Sequence, residues 1–161
     1  MYQETETLPL GLWFARIDRI ASQNFGSLEN RLRHAMHLVH LAPLRFGSGI
    51  NLKLGRPPAE SKLEDMLEKG DHDDAARYLV RPGSLSVRSI VHDGGQAVEA
   101  RIVCPLLKRV VRGWGDGIAG SVLDAWTRQM LALRSDYDFA AIALGDRDRR
   151  RSRSEPGRRS H

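Results

Sequence analysis

One stretch, Lys108 to Leu144, constrains this chain more than any other. It carries in order a short basic apolar run (KRVV), a glycine-rich turn (RGWGDGIAG), a helix-patterned segment (SVLDAWTRQMLALRS) and an apolar strand-like run (DFAAIAL). The hydrophobic period changes between helix and strand inside this stretch, so the fold must set helices against a sheet. In the helical segment Ile118, Val122, Trp126, Met130 and Leu133 share one stripe, and Asp124 stands four residues before Arg128.

The chain before it follows the same pattern. Pro9 is suited to the first turn of a helix over 9–23, along which Trp13, Phe14, Ile17, Ile20 and Ala21 recur at helical spacing. Ser27 caps a second helix, 28–41, with Leu28, Leu32, Ala35, Met36 and Val39 facing inward, and Pro43 ends it. Between Phe46 and Gly55 the residues alternate, with Ile50, Leu52 and Leu54 on one side, which predicts a half-buried strand. An acidic helix near 60–69 and a short one near 72–79 follow. Strands over 85–92 and 97–104 are then joined by Asp93-Gly94-Gly95-Gln96, residues that tolerate a tight turn. Asp138–Leu144 completes the set as a short apolar strand.

This order predicts an α+β fold in a single domain: helices packed on one small mixed sheet of about four strands, spanning residues 1–145. Residues 146–161 lack an apolar core-former and read as a disordered, Arg-rich basic tail. A length of 161 residues with 41% hydrophobic residues suffices for a core without disulfide or metal staples. Cys104 is the single cysteine, so an internal disulfide and a multi-cysteine zinc site are excluded. The first apolar run, LPLGLWFARI, follows Glu4 and Glu6 rather than a cationic segment, and no window reaches the roughly 18 apolar residues of a membrane span. The expectation is a cytoplasmic protein with no membrane partner.

Charge is distributed unevenly. The tail holds seven of the 25 cations against Asp146, Asp148 and Glu155, which leaves the body with 18 cations and 17 acids. From Asn30 to Ala59 there are Arg31, Arg33, Arg45, Lys53, Arg56 and three histidines but no acid, whereas Glu60 to Asp74 holds seven acids. A second acid-free stretch between Glu99 and Asp116 holds Arg101, Lys108, Arg109 and Arg112. Such segregation creates a local phosphate-binding footprint on a nearly neutral body, unless the acidic helix lies against the basic segments and neutralises them.

Three constellations point to chemistry. Gly115, Gly117 and Gly120 satisfy G-x-G-x-x-G and open a helix, the setting of a dinucleotide pyrophosphate, although Asp146, the acid just past the next apolar run, stands further on than such motifs place it. His34, His37 and His40 lie three apart on one helix, so two of them can share an ion, and His72-Asp73 offers further ligands for a metal-dependent hydrolase. Cys104 reads as a buried strand thiol with no base beside it.

Charge distribution requires fewer assumptions than a converged reaction centre. The expectation is therefore a non-enzymatic binding or regulatory protein, without cofactor or metal, that docks DNA, RNA or a protein partner. The binding residues it implies are Arg31, Arg33, Arg45, Lys53, Arg56, Arg101, Lys108, Arg109 and Arg112, with Arg147, Arg149, Arg150, Arg151 and Arg153 of the tail. Trp114, set in a glycine turn, is the expected partner contact, and self-association into a homo-oligomer is compatible with this reading. A small nucleotide-binding enzyme built on the Gly115–Gly120 turn is the alternative, and a metal hydrolase on the histidine helix is the third.

Overall fold

The computed structural model describes residues 9–22, 26–41, 59–80, 83–104 and 107–134. Helix α1 spans Leu10–Ala21 and α2 spans Leu28–His40, followed by α3, Glu60–Glu68, and α4, His72–Leu79. A meander follows, β1 (Leu85–His92), β2 (Gly95–Cys104) and β3 (Arg109–Gly115), and residues 118–134 form α5. The fold is α+β: among the described residues, five helices pack on a three-stranded antiparallel sheet in the order β1-β2-β3.

The helix boundaries follow from local chemistry. Pro9 stands just before α1 as its N-cap residue rather than within its first turn, and its carbonyl accepts the Trp13 N–H. The Ser27 hydroxyl accepts the Asn30 N–H at 3.3 Å and so satisfies a donor that the first turn of α2 would otherwise leave orphaned. Gly70, at φ +75°, takes the left-handed conformation that ends α3. Helix α2 is the hub of the helical layer, touching α1, α3 and α4. The Trp13 indole N–H donates to the Leu38 carbonyl at 2.7 Å, which fixes α1 on α2 while Trp13 itself is buried.

Asp93 and Gly94, both at positive φ, form the two-residue loop between β1 and β2 and thereby set the register. Leu85 lies opposite Ile102, Val87 opposite Ala100 and Arg88 opposite Glu99. Strand β3 then pairs with β2, with Arg101 opposite Arg112 and Ala100 opposite Gly113. Alternation sends Ala100, Ile102, Cys104, Val111 and Gly113 to the core and leaves their neighbours on the outer face.

Helix α5 is buried nearly all round, not along one stripe as its apolar spacing predicts. Ser121, Thr127 and Gln129 are enclosed together with Val122, Leu123, Trp126 and Met130, and Arg128 is its one exposed residue. One side of α5 lies on β3. A Cβ on Gly113 would fall on the Ala125 backbone, 2.6 Å from its Cα and 2.7 Å from the Ser121 carbonyl oxygen, and one on Gly115 would stand 2.8 Å from the Ser121 nitrogen. Helix and strand therefore meet backbone to backbone, which only glycine permits. At its ends α5 is held by the other helices: Asp73 Oδ1 accepts the Ala119 N–H at 3.2 Å, and Arg134 donates to Asp18 at 2.9 Å.

Three expectations about the sheet change. The connection expected over 93–96 closes on Asp93 and Gly94 alone, so β2 begins at Gly95. The run from Arg109 to Gly115 is a strand throughout, where its basic apolar start and its glycines predict a short run and a turn. The described sheet has three strands, all antiparallel, instead of about four in a mixed arrangement. The strands expected within 46–55 and 138–144, and the tail, lie outside the described residues.

Candidate nucleic-acid interface

The outer face of the sheet gathers charge. The side chains that alternation turns away from α5 include Arg88 on β1, Glu99, Arg101 and Val103 on β2, and Val110, Arg112 and Trp114 on β3. At its centre the Glu99 side chain is 6% exposed, covered by its neighbours. Glu99 Oε1 accepts from Arg88 Nε at 3.1 Å and lies 3.8 Å from Arg101 Nε, and Oε2 accepts the Trp114 indole N–H at 3.3 Å. Desolvation pushes the Glu99 carboxyl up, but the Arg88 hydrogen bond and charge, the Trp114 N–H and the Arg112 charge outweigh it and hold the group below the usual carboxylate range.

Three guanidiniums thus surround one buried carboxylate, and the face keeps a positive excess. Arg112 is exposed and makes no hydrogen bond or close ion pair with a described residue, and Arg101 Nε is buried without a hydrogen-bond partner among them. Arg101 and Arg112 also stand directly opposite one another, a like-charge pairing that costs the sheet stability. Trp114 is 43% exposed, with the Arg128 guanidinium 5.2 Å from its ring centre and its backbone N–H donating to Asp124 at 2.9 Å. Val103 and Val110, opposite each other, are exposed as well. Lys108, in the β2–β3 turn at φ +53°, and the exposed Arg109 add cations at the end of the sheet.

The described part of the first basic segment, on α2, is engaged internally. Arg31 Nε donates to the Ile20 carbonyl at 3.2 Å and ties α2 to the end of α1. Arg33 lies between Glu29 and Glu64, 2.7 Å from each, and the Glu64 hydrogen bond leads the raising of its pKa. His37 sits 3.5 Å from Glu60, so the acidic helix does lie against this segment. Arg45, Lys53, Arg56 and the tail, with Arg147, Arg149, Arg150, Arg151 and Arg153, lie outside the described residues.

Gly115 and helix α2 serve packing, whereas Gly117 and Gly120 border open space and His34, His37 and His40 are exposed. Gly115 is the contact of β3 with α5, and the Ala119 N–H at the start of α5 is already taken by Asp73, so a pyrophosphate there would have to displace a carboxylate. His72 is 3.9 Å from Glu29, and among the described residues no three His, Cys, Asp or Glu side chains are placed to hold a metal ion. Cys104 is fully buried, with the Gln129 amide donating to its Sγ at 3.3 Å.

Sequence reasoning names Arg101, Arg112 and Trp114 on this face but misses Arg88 and Glu99. The signal was there: once Asp93-Gly94 is taken as the two-residue loop, the ladder places Arg88 opposite Glu99. Compared with known proteins, the chain matches no family model, no curated protein and no solved structure.

Proposed function

We propose that this chain is a non-enzymatic nucleic-acid-binding protein that presents the outer face of β1–β2–β3 to its ligand. The observation that carries the reading is the grouping of Arg88, Arg101 and Arg112 around a single buried carboxylate, so that three cations share one acid and Arg112, though it feels the Glu99 charge, makes no hydrogen bond with a described residue. Guanidinium forks match phosphate oxygens and base-edge acceptors, and a folded face that places three of them together supplies an electrostatic footprint despite a nearly neutral body. Lys108 adds a cation at the end of the sheet, and the tail arginines add phosphate contacts independent of sequence. No described helix is long and apolar enough to cross a membrane.

The test is fluorescence anisotropy with labelled DNA and RNA, single- and double-stranded, at rising salt. Binding is expected at ~50 mM salt, falling steeply towards ~200 mM as counterion release weakens. Absence of binding to every probe at low salt would sink this reading. The exposed Trp114, Val103 and Val110 would then favour the second one, a protein partner docked on the same face.

A further inference from the structure

We propose that the β2–β3 ribbon seats in the major groove of B-form duplex DNA, with Arg101 and Arg112 directed at guanine edges and the Val103–Val110 pair against thymine methyl groups. This rests on the nucleic-acid reading above and names the kind of nucleic acid.

The register supplies the first argument. Arg101 opposes Arg112 and, one rung along the same face, Val103 opposes Val110. Same-face rungs are about 6.7 Å apart along a strand, close to two base-pair steps of about 3.4 Å, so consecutive rungs track the groove floor without strain. Strand β1 is paired with β2 alongside this ribbon, and three strands about 4.8 Å apart span about 9.6 Å between their outer axes, still within a groove about 12 Å wide.

The unspent donors supply the second. Glu99 is already shared by Arg88 and Trp114, which leaves Arg112 without a hydrogen bond to a described residue, while Arg101, its Nε buried 3.8 Å from Glu99, keeps a third of its side chain, 35%, in solvent. Guanine offers two acceptors, O6 and N7, in the spacing a guanidinium fork takes, and acceptors there relieve the like-charge rung.

The valines decide between nucleic acids. A face built only for phosphates has no use for an apolar pair that is 54% and 42% exposed. In the major groove the thymine C5 methyl is the matching apolar group, and RNA lacks it. A-form duplexes close that groove to protein side chains. Single strands are bound by stacking on free aromatic rings, but the aromatic ring of this face, Trp114, has Arg128 over it and its N–H tied to Glu99.

The experiment selects full-length protein against a random 20-base-pair DNA pool at ~150 mM salt, then measures the enriched duplex by anisotropy. A short motif containing guanine and thymine should emerge. Replacing its thymines by deoxyuridine, which removes only the methyl groups, should weaken binding about fourfold per contacted methyl. Arg112→Lys keeps the charge but loses the fork, so discrimination at one guanine should fall roughly tenfold or more while the salt slope is retained. Arg112 is exposed, and unchanged circular dichroism of the variant confirms folding. Four results would each overturn the proposal: no enriched motif, indifference to deoxyuridine, equal affinity for the RNA duplex or the single strand, or displacement by a minor-groove ligand. In all four the protein still binds nucleic acid, whereas failure to bind any probe defeats the functional reading itself.

Discussion

Glu99 and Arg88 face each other across the β1–β2 ladder, carboxylate to guanidinium at 3.1 Å, the acid covered and the arginine largely in solvent. An acid at the centre of a cationic face opposes anion binding by its charge, yet it is the group that fixes Arg88 and Trp114 in place. Pure charge counting predicts that Glu99→Gln tightens nucleic-acid binding. If positioning dominates, the variant binds more weakly despite its added positive charge, and its melting temperature falls because the buried hydrogen bonds lose their charged acceptor. Anisotropy beside a melting curve separates the two, and tighter binding would reduce Glu99 to a neutralising role.

The glycines of β3 and of the following turn should behave differently on substitution. Gly113→Ala places a methyl on the Ala125 backbone and should cost about 3 kcal/mol or more, because a main-chain neighbour cannot rotate away. Gly117→Ala meets open space and should change stability by less than about 0.5 kcal/mol. Denaturant unfolding of the pair checks this, and a thermal-shift screen of the wild type with nucleoside phosphates is expected to be flat.

Asp73→Ala removes the carboxylate that accepts the Ala119 N–H, at the end of α5 where the helix dipole favours negative charge. A loss of about 0.5–2 kcal/mol is expected, the range of a helix cap. Hydrogen exchange should show the first turn of α5 opening before the sheet does.

Acid should destabilise the fold in two stages. Burial, then the charges of His37, Arg16 and Arg19, lower the His34 pKa, so the unfolded chain takes up its proton first and stability begins to fall as pH drops through ~6.5. Glu99, also held low, contributes stability that is present above its unfolded pKa of ~4.3 and is lost as pH falls through the lower folded value. Melting curves from pH 8 to pH 3 should show both stages, the second missing in Glu99→Gln.

Deleting residues 146–161 removes seven arginines and three acids. Affinity for any duplex should drop and the salt slope should flatten by about 0.9 for each phosphate no longer neutralised, while the preference for one motif over another persists. Loss of that preference would move recognition into the tail.

Much of the fold was legible in local signals. Ser27 marks the start of α2, residues 93–96 mark a hairpin, and period-2 spacing from Val98 to Cys104 identifies the core side of β2. The register was not legible, because the connection closes on Asp93 and Gly94 alone and sets Leu85 opposite Ile102 instead of near Cys104. Strand β3 was not, because Gly113 and Gly115 weaken any strand pattern and show their purpose only when α5 lies on them. Neutralisation of the first basic segment by the acidic helix stood as an alternative, but the particular pair Arg33–Glu64 was out of reach, since the partners are 31 residues apart and meet only through the packing of α2 on α3. At the candidate site, charge composition points to Arg101 and Arg112, but the acid between them and Arg88 is found only by reading across strands.

The strict alternation along β2 has a consequence for how such a protein changes over generations. Ala100, Ile102 and Cys104 hold the interior, while Arg101 and Val103 between them turn to the opposite face. Mutations at the outward positions can rewrite what the surface recognises with little damage to folding, so a lineage of this chain is free to diversify its targets on an unchanged frame.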